Sequence, residues 1–251
     1  MARKKTPANP DGYQFVSADP PWKMNNYGLA KHGAARSHYA LMTLDQLKAV
    51  ELQPLLAKNC LLGLWSLGTK EAEGAHHELA AAWGFRLTTR LLVWIKANRK
   101  CTGCKHDWDA HEPDPWNTPG RCSVVNRKGD RCPCLCLGLN PHFGPGCYTG
   151  QNAEVLWLGV RGSGFSKGRA RRDVRSVLIA PMPTYAGTAK KKHSAKPGEA
   201  YRRIEILWPE LKRLELFRRG EARPGWDAAG DQADGGIPVA GLRAPTQGAT
   251  T

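Results

Sequence analysis

Tyr13-Gln14-Phe15-Val16-Ser17-Ala18-Asp19-Pro20-Pro21-Trp22 is the stretch that decides how this chain is read. Its first six residues are rich in aromatic and β-branched side chains, and Pro10-Asp11-Gly12 in front supplies a turn signal, so a strand is predicted. The two prolines behind it fix φ near about −65° and push each preceding residue into extended backbone. A strand therefore ends in a stiff tetrapeptide at its carboxyl end, where open α/β sheets bind ligands. Asp19 supplies an ionised carboxylate, Pro20 a carbonyl and Trp22 an aromatic face. That set suits a planar heterocycle carrying an exocyclic amine, whose two N–H groups the carboxylate and the Pro20 carbonyl can accept. Acceptors so placed favour the pyramidal, more basic nitrogen that forms as the amine attacks. Trp22 is expected to stack on the base or wall it. Alone, Asp-Pro-Pro also reads as a proline-rich turn with a helix-capping aspartate. The strand in front of it favours the site.

Working outward, Thr43-Leu44-Asp45-Gln46 reads as a capping box opening a helix to about residue 56. Residues 60–67 form an apolar strand, and Thr69 caps a helix that ends near Trp83-Gly84. Residues 90–96, 153–160, 176–180 and 212–218 are further strands, and Pro197 starts a helix at its first position that Pro209 stops after about residue 207. Near-continuous apolar strands alternating with helices predict an α/β fold with a largely parallel sheet covered on both faces. The organisation expected is a basic tail over 1–10, one α/β domain over 11–97 and 147–232, a Cys/His-rich insertion over 98–146, and a disordered tail over 233–251.

The chain has 251 residues, with Lys plus Arg 37 against Asp plus Glu 22, a formal net charge of +15. Such an excess attracts polyanions, nucleic acid before an anionic membrane, because no amphipathic basic helix is evident. No long apolar run or signal peptide is recognised, so a soluble, cytoplasmic protein is expected, in a bacterium or phage-infected cell.

With the Asp-Pro-Pro-Trp turn go His38-Tyr39-Ala40-Leu41-Met42, Leu64-Trp65, Trp83-Gly84-Phe85 and Val93-Trp94-Ile95-Lys96. Glu154 through Gly162, His193-Ser194-Ala195-Lys196-Pro197, Leu214-Glu215-Leu216-Phe217 with Arg219, Gly225-Trp226 and Gly230-Asp231-Gln232 follow in order. In this order and spacing the chain resembles the MT-A family of S-adenosylmethionine-dependent N6-adenine methyltransferases. The resemblance implies a Rossmann-like methyltransferase sheet in permuted order, with the catalytic turn, Asp19, Pro20, Pro21 and Trp22, ahead of the cofactor strand. It implies that Asp19, Lys196, Glu215, Arg219, Asp231 and Gln232 line the cofactor site, Lys196 holding the methionine carboxylate. Lys196 precedes a helix N-terminus, which favours an anion; a solvated lysine is the alternative. Glu215 and Arg219 either contact the ribose or hold the loop that does, or form a structural ion pair. The family usually has Asn where this chain has Asp231. Asp114-Pro115-Trp116 copies the turn only superficially, without the second proline or a strand in front.

Six of the eight cysteines lie between Cys101 and Cys136, and such clustering argues for metal rather than disulfides. Cys101 and Cys104 read as a zinc-ribbon-like knuckle, completed by Cys122 with Cys132 or Cys134, with His111 as competitor; His106 and Cys136 lie in the same stretch. The zinc is expected to be structural, since the segment has few apolar residues to form a core. Lys167, Arg169, Arg171, Arg172, Lys190 and Lys191 are candidate phosphate contacts. DNA is favoured as substrate, with the target adenine flipped out of the duplex. RNA is the alternative, and a non-catalytic zinc-binding, nucleic-acid-binding partner subunit is the rival from another class.

Overall fold

The computed structural model describes residues 9–23, 41–67, 70–101, 104–107, 111–113, 119–126, 128–132, 152–163, 169–184 and 195–242. Phe15 and Val16, neighbours in strand β1 (Tyr13–Ala18), both have 0 % exposure. Successive side chains point to opposite faces of a strand, so β1 is covered on both sides. It pairs in parallel with β2 (Leu56–Leu67) and with β8 (Arg213–Leu216), and β8 pairs in parallel with β10 (Asp227–Ala229). Beyond β2 lie β6 (Ala153–Arg161), β3 (Arg86–Ala97) and β7 (Val177–Pro181), giving a seven-stranded sheet of order β10-β8-β1-β2-β6-β3-β7. The strand that comes first in the chain thus sits inside the sheet, beside one from near its end. This is the permuted, Rossmann-like α/β arrangement expected. Two small ribbons accompany it, β9 (Arg219–Gly220) with β11 (Gln232–Ala233), and β4 (His111–Pro113) with β5 (Pro119–Cys122).

The chain divides into two compact units, one of residues 1–91, 156–168 and 210–251, the other of 92–155 and 169–209. In the first, one apolar cluster gathers Val16 and Ala18 of β1, Leu62 and Leu64 of β2, Leu214 and Leu216 of β8, and Leu79, Ala80 and Trp83. Helix α1 (Leu44–Lys48) opens with the predicted capping box, Gln46 N–H donating to Thr43 Oγ1 and Thr43 N–H to Gln46 Oε1. It stops well before residue 56. Pro54 has no N–H to offer the Val50 carbonyl, and the chain instead buries Val50 and Leu52 and makes a 3-10 turn over Gln53–Leu55. Helix α2 (Lys70–Ala82) ends where predicted: Gly84 is left-handed at φ 84°, Phe85 N–H reaches Ala80 O at 2.8 Å and Gly84 N–H reaches Ala81 O at 3.0 Å. That pair of bonds satisfies two of the last carbonyls.

The tail differs from expectation. Residues 233–242 pack on the first unit: Ile237 N–H donates to Ala228 O at 2.8 Å, Glu51 N–H to Ala240 O at 2.9 Å, and Leu242 is buried. Ile237, Val239 and Leu242 supply enough apolar surface among the glycines to hold the segment down.

In the second unit β3 and β7 run parallel, Trp94 opposite Leu178, with Trp94 Nε1 donating to Ala180 O at 2.9 Å. Helix α3 (Gly198–Leu207) buries Ala200, Tyr201, Ile204 and Leu207. Arg203 on the same helix is 1 % exposed, and its guanidinium ties the helix to the carbonyls of Arg175 and Val177 at 2.6 and 2.7 Å. Pro197 is the N-cap rather than the first helical residue. Among the described residues, no helix is long and apolar enough to cross a membrane.

Candidate active site

The first unit brings three sequence-predicted segments to one edge. Ala18 at the end of β1 pairs with Leu216 at the end of β8, and Leu216 with Ala229 at the end of β10. The parallel strands therefore finish in one row, and Asp19, Phe217 and Gly230 each take the next step off it. This is the carboxyl edge of the sheet.

Asp19 is half-buried and Pro20 buried at the start of the turn. Trp22 N–H donates back to Pro20 O at 2.8 Å, closing a three-residue turn around Pro21. A carbonyl has two lone pairs, so Pro20 O keeps acceptor capacity. Met42 completes the brace: its N–H donates to Pro21 O at 2.8 Å and its carbonyl accepts from Lys23 N–H at 2.9 Å. This bridge turns Trp22 inward. The residue is only 9 % exposed and belongs to the same apolar cluster as Met42 and Leu47, so it anchors the turn from beneath and offers little face for stacking. Its indole N–H has no acceptor among the described residues.

Beyond β8, Phe217 is left-handed at φ 60°, unusual for an aromatic residue, and this ends the strand short of residue 218. The kink turns the chain into β9, where Arg219 pairs with Gln232 of β11. Gly230 allows the approach, because a Cβ there would overlap the Arg218 carbonyl. Glu215 is 8 % exposed at the end of β8. Arg218 forms an ion pair with it, Nη1 3.3 Å from Oε2. Asp231 and Gln232 are exposed. Four of the six expected cofactor residues thus sit on segments leaving the edge that carries Asp19.

Lys196 belongs to the second unit. Its side chain is 3 % exposed, which excludes the solvated reading, and Nζ lies 3.1 Å from Glu154 Oε2. Lys96 Nζ lies 2.6 Å from Glu154 Oε1. Burial by itself would raise the Glu154 pKa, but the Lys196 and Lys96 ammoniums outweigh it and hold the carboxyl below its ordinary value. The buried Lys196 and the half-buried Lys96 thus share one carboxylate. Neither Glu154 nor Lys96 was given a role from sequence. The available signal was a lone carboxylate inside an apolar strand and a lysine ending another, which burial would force to pair.

In the cysteine-rich stretch Cys104, His106, Cys122 and Cys132 place their ligand atoms within 4.8 Å of one another. His106 stands where Cys101 was expected, and Cys101 lies outside the group. Cys134 and Cys136, the His111 side chain and the Asp114-Pro115-Trp116 stretch lie outside the described residues, as do Lys167, Lys190 and Lys191. Arg169, Arg171 and Arg172 are exposed, and Arg171 Nε donates to Asp173 Oδ1 at 2.9 Å.

The sequence profile described as MT-A70 matches residues 13–117 and 142–232. The chain is 24 % identical to the Type II methyltransferase M.MunI of a Mycoplasma species, over 98 % of this chain and 91 % of that protein. It is also 24 % identical to the N(6)-adenosine-methyltransferase subunit METTL3 of Danio rerio, over 89 % of this chain and 28 % of that one. The same figures hold for the METTL3 catalytic subunit of Homo sapiens. The chain thus spans under a third of the METTL3 proteins and nearly all of the Type II enzyme.

Proposed function

Because the chain belongs to the MT-A70 family, we propose that it is an N6-adenine methyltransferase acting on DNA. The observation that carries this reading is the common row in which β1, β8 and β10 end, with the Asp19 turn and the Glu215-to-Arg219 and Gly230-to-Gln232 segments leaving side by side.

The residues fit S-adenosylmethionine by their chemistry. A buried carboxylate at a strand end, Glu215, suits a ribose diol. A buried ammonium, Lys196, beside a helix N-terminus suits a carboxylate. Arg219 and Gln232 border the same ribbon. When bound, this cofactor supplies a methyl group on a sulfonium. The chain positions and desolvates the acceptor. Asp19 and the Pro20 carbonyl accept the two N–H groups of the adenine amine and draw its lone pair out of conjugation. Trp22 and Met42 hold that turn rigid. Glu154 fixes the Lys196 ammonium in place.

The end-to-end match with a Type II methyltransferase supports DNA over RNA. The net charge of +15 and exposed Arg169, Arg171 and Arg172 support a phosphate-contacting surface. A structural zinc ion in the cysteine-rich stretch is proposed alongside it. The test is incubation with cofactor and either DNA or RNA, followed by digestion and nucleoside mass spectrometry. N6-methyldeoxyadenosine from DNA supports the proposal; methylation of RNA alone refutes the substrate, and no methylated adenine in either refutes the activity.

A further inference from the structure

The four side chains gathered in the cysteine-rich stretch have geometry of their own. Cys122 Sγ lies 4.0 Å from Cys104 Sγ, and 3.2 Å from His106 Nδ1. Tetrahedral zinc, with Zn–S about 2.3 Å and Zn–N about 2.0 Å, puts two sulfurs roughly 3.8 Å apart and a sulfur and a nitrogen roughly 3.5 Å apart. Both observed spacings lie within a few tenths of an ångström of those values. A disulfide is a different arrangement, with sulfurs about 2.05 Å apart.

Local backbone explains why these four meet. Cys101 N–H donates to His106 O at 3.0 Å and Lys105 N–H to Cys101 O at 3.1 Å, closing a loop in which Lys105 is left-handed at φ 62°. Cys104 and His106 flank that residue and face the same group. On the other side a hairpin is tied by Asn126 N–H to Asp130 O at 2.9 Å and Cys132 N–H to Val124 O at 2.8 Å. Asn126 Oδ1 accepts from the N–H groups of Lys128 and Asp130, stiffening the tip. The hairpin carries Cys122 at one base and Cys132 at the other. Cys101 instead contributes its backbone to the loop closure.

Among the described residues from 98 to 132, only Cys101 and Cys122 are buried. No apolar cluster among the described residues joins loop and hairpin. Three thiol groups and an imidazole converge where a domain of this kind would otherwise place hydrophobic side chains.

We propose that Cys104, His106, Cys122 and Cys132 form a closed site for one Zn²⁺, with Cys101 outside it. Four protein ligands leave no open position for water, so the ion is structural and takes no part in methyl transfer. The site stands independently of the methyltransferase reading.

The full-length chain, purified under reducing conditions, would be assayed for zinc by elemental mass spectrometry alongside Cys101→Ser, Cys104→Ser, Cys122→Ser and Cys132→Ser. The last three should each lose one zinc relative to wild type, while Cys101→Ser keeps it. Zinc lost from Cys101→Ser but retained in Cys122→Ser would overturn the ligand set. So would metal-free wild-type protein that takes up no added zinc. If the ligand variants are insoluble, Co²⁺-substituted wild type and Cys101→Ser decide. Matching tetrahedral spectra with thiolate-to-cobalt charge transfer support the site. Weak octahedral absorption, or loss of the signal in Cys101→Ser, refutes it.

Discussion

Lys196 and Glu154 form a buried ion pair, Nζ to Oε2 3.1 Å, and Lys96 grips the other oxygen of the same carboxylate at 2.6 Å. Forty-two residues separate Lys196 from Glu154, so the pairing is a product of the fold and not of local sequence.

Removing the shared anion should be costly. Glu154→Ala leaves the buried Lys196 ammonium without this carboxylate, and breaking a buried pair in this way costs about 3–5 kcal/mol. Chemical denaturation at pH 7 should record a loss of that order, with Glu154→Gln losing less because its amide still accepts one hydrogen bond. The pH dependence follows from a carboxyl held below its ordinary value of 4.5 in the folded state. Its contribution is complete above that value and is lost as pH falls through the folded-state pKa. Wild type should therefore lose stability from about pH 4.5 downward more steeply than Glu154→Gln. Parallel acid titrations of the two proteins would contradict the pairing.

Gly230→Ala tests the close approach beside β8. The added methyl would overlap the Arg218 carbonyl, and forcing extra volume into a packed position costs about 1–3 kcal/mol. Because the same contact positions Arg219 and Gln232, cofactor affinity should fall along with the melting temperature, read by calorimetric titration. Wild-type affinity in this variant would remove that ribbon from the cofactor site.

Tyr13 and Asp227 join β1 to β10 across the far end of the sheet, the phenol donating to Oδ2 at 2.6 Å. Burial first, and then the bond to Asp227 and its charge, push the Tyr13 hydroxyl above its ordinary value of 10. A raised folded-state pKa gives stability that is present below pH 10 and lost as pH rises through the folded value. Tyr13→Phe should cost about 1 kcal/mol at pH 7 and flatten the alkaline loss of stability seen in wild type. Equal slopes above pH 10 would show the bond to be inconsequential.

Local chemistry made much of this legible. The β1 strand, the stiff turn after it, the Thr43 cap and the Gly84 stop all follow from residues within a few positions of one another, and each stands where read. Errors arose where distant groups decided the outcome. The helix after Thr43 ends at Lys48, well short of residue 56, and Val50 and Leu52 turn into the core ahead of the 3-10 turn that contains Pro54. The Cys101-x-x-Cys104 spacing reads as a two-thiolate knuckle; the left-handed Lys105 brings His106 beside Cys104, which spacing alone does not reveal. Residues 233–242 looked too rich in glycine and alanine to fold, yet three apolar side chains among them suffice once a core exists to receive them. Nothing local could have matched Lys96 to Glu154.

The account rests on the Asp19 carboxylate receiving the adenine amine, and the Asp19→Ala variant addresses this most directly. One preparation should be titrated calorimetrically with S-adenosylmethionine and assayed for N6-methyladenine in DNA. Cofactor affinity should stay close to wild type while methylation falls at least about a hundredfold, the loss typical of removing one group that stabilises a transition state. Methylation at the wild-type rate in Asp19→Ala would contradict the account.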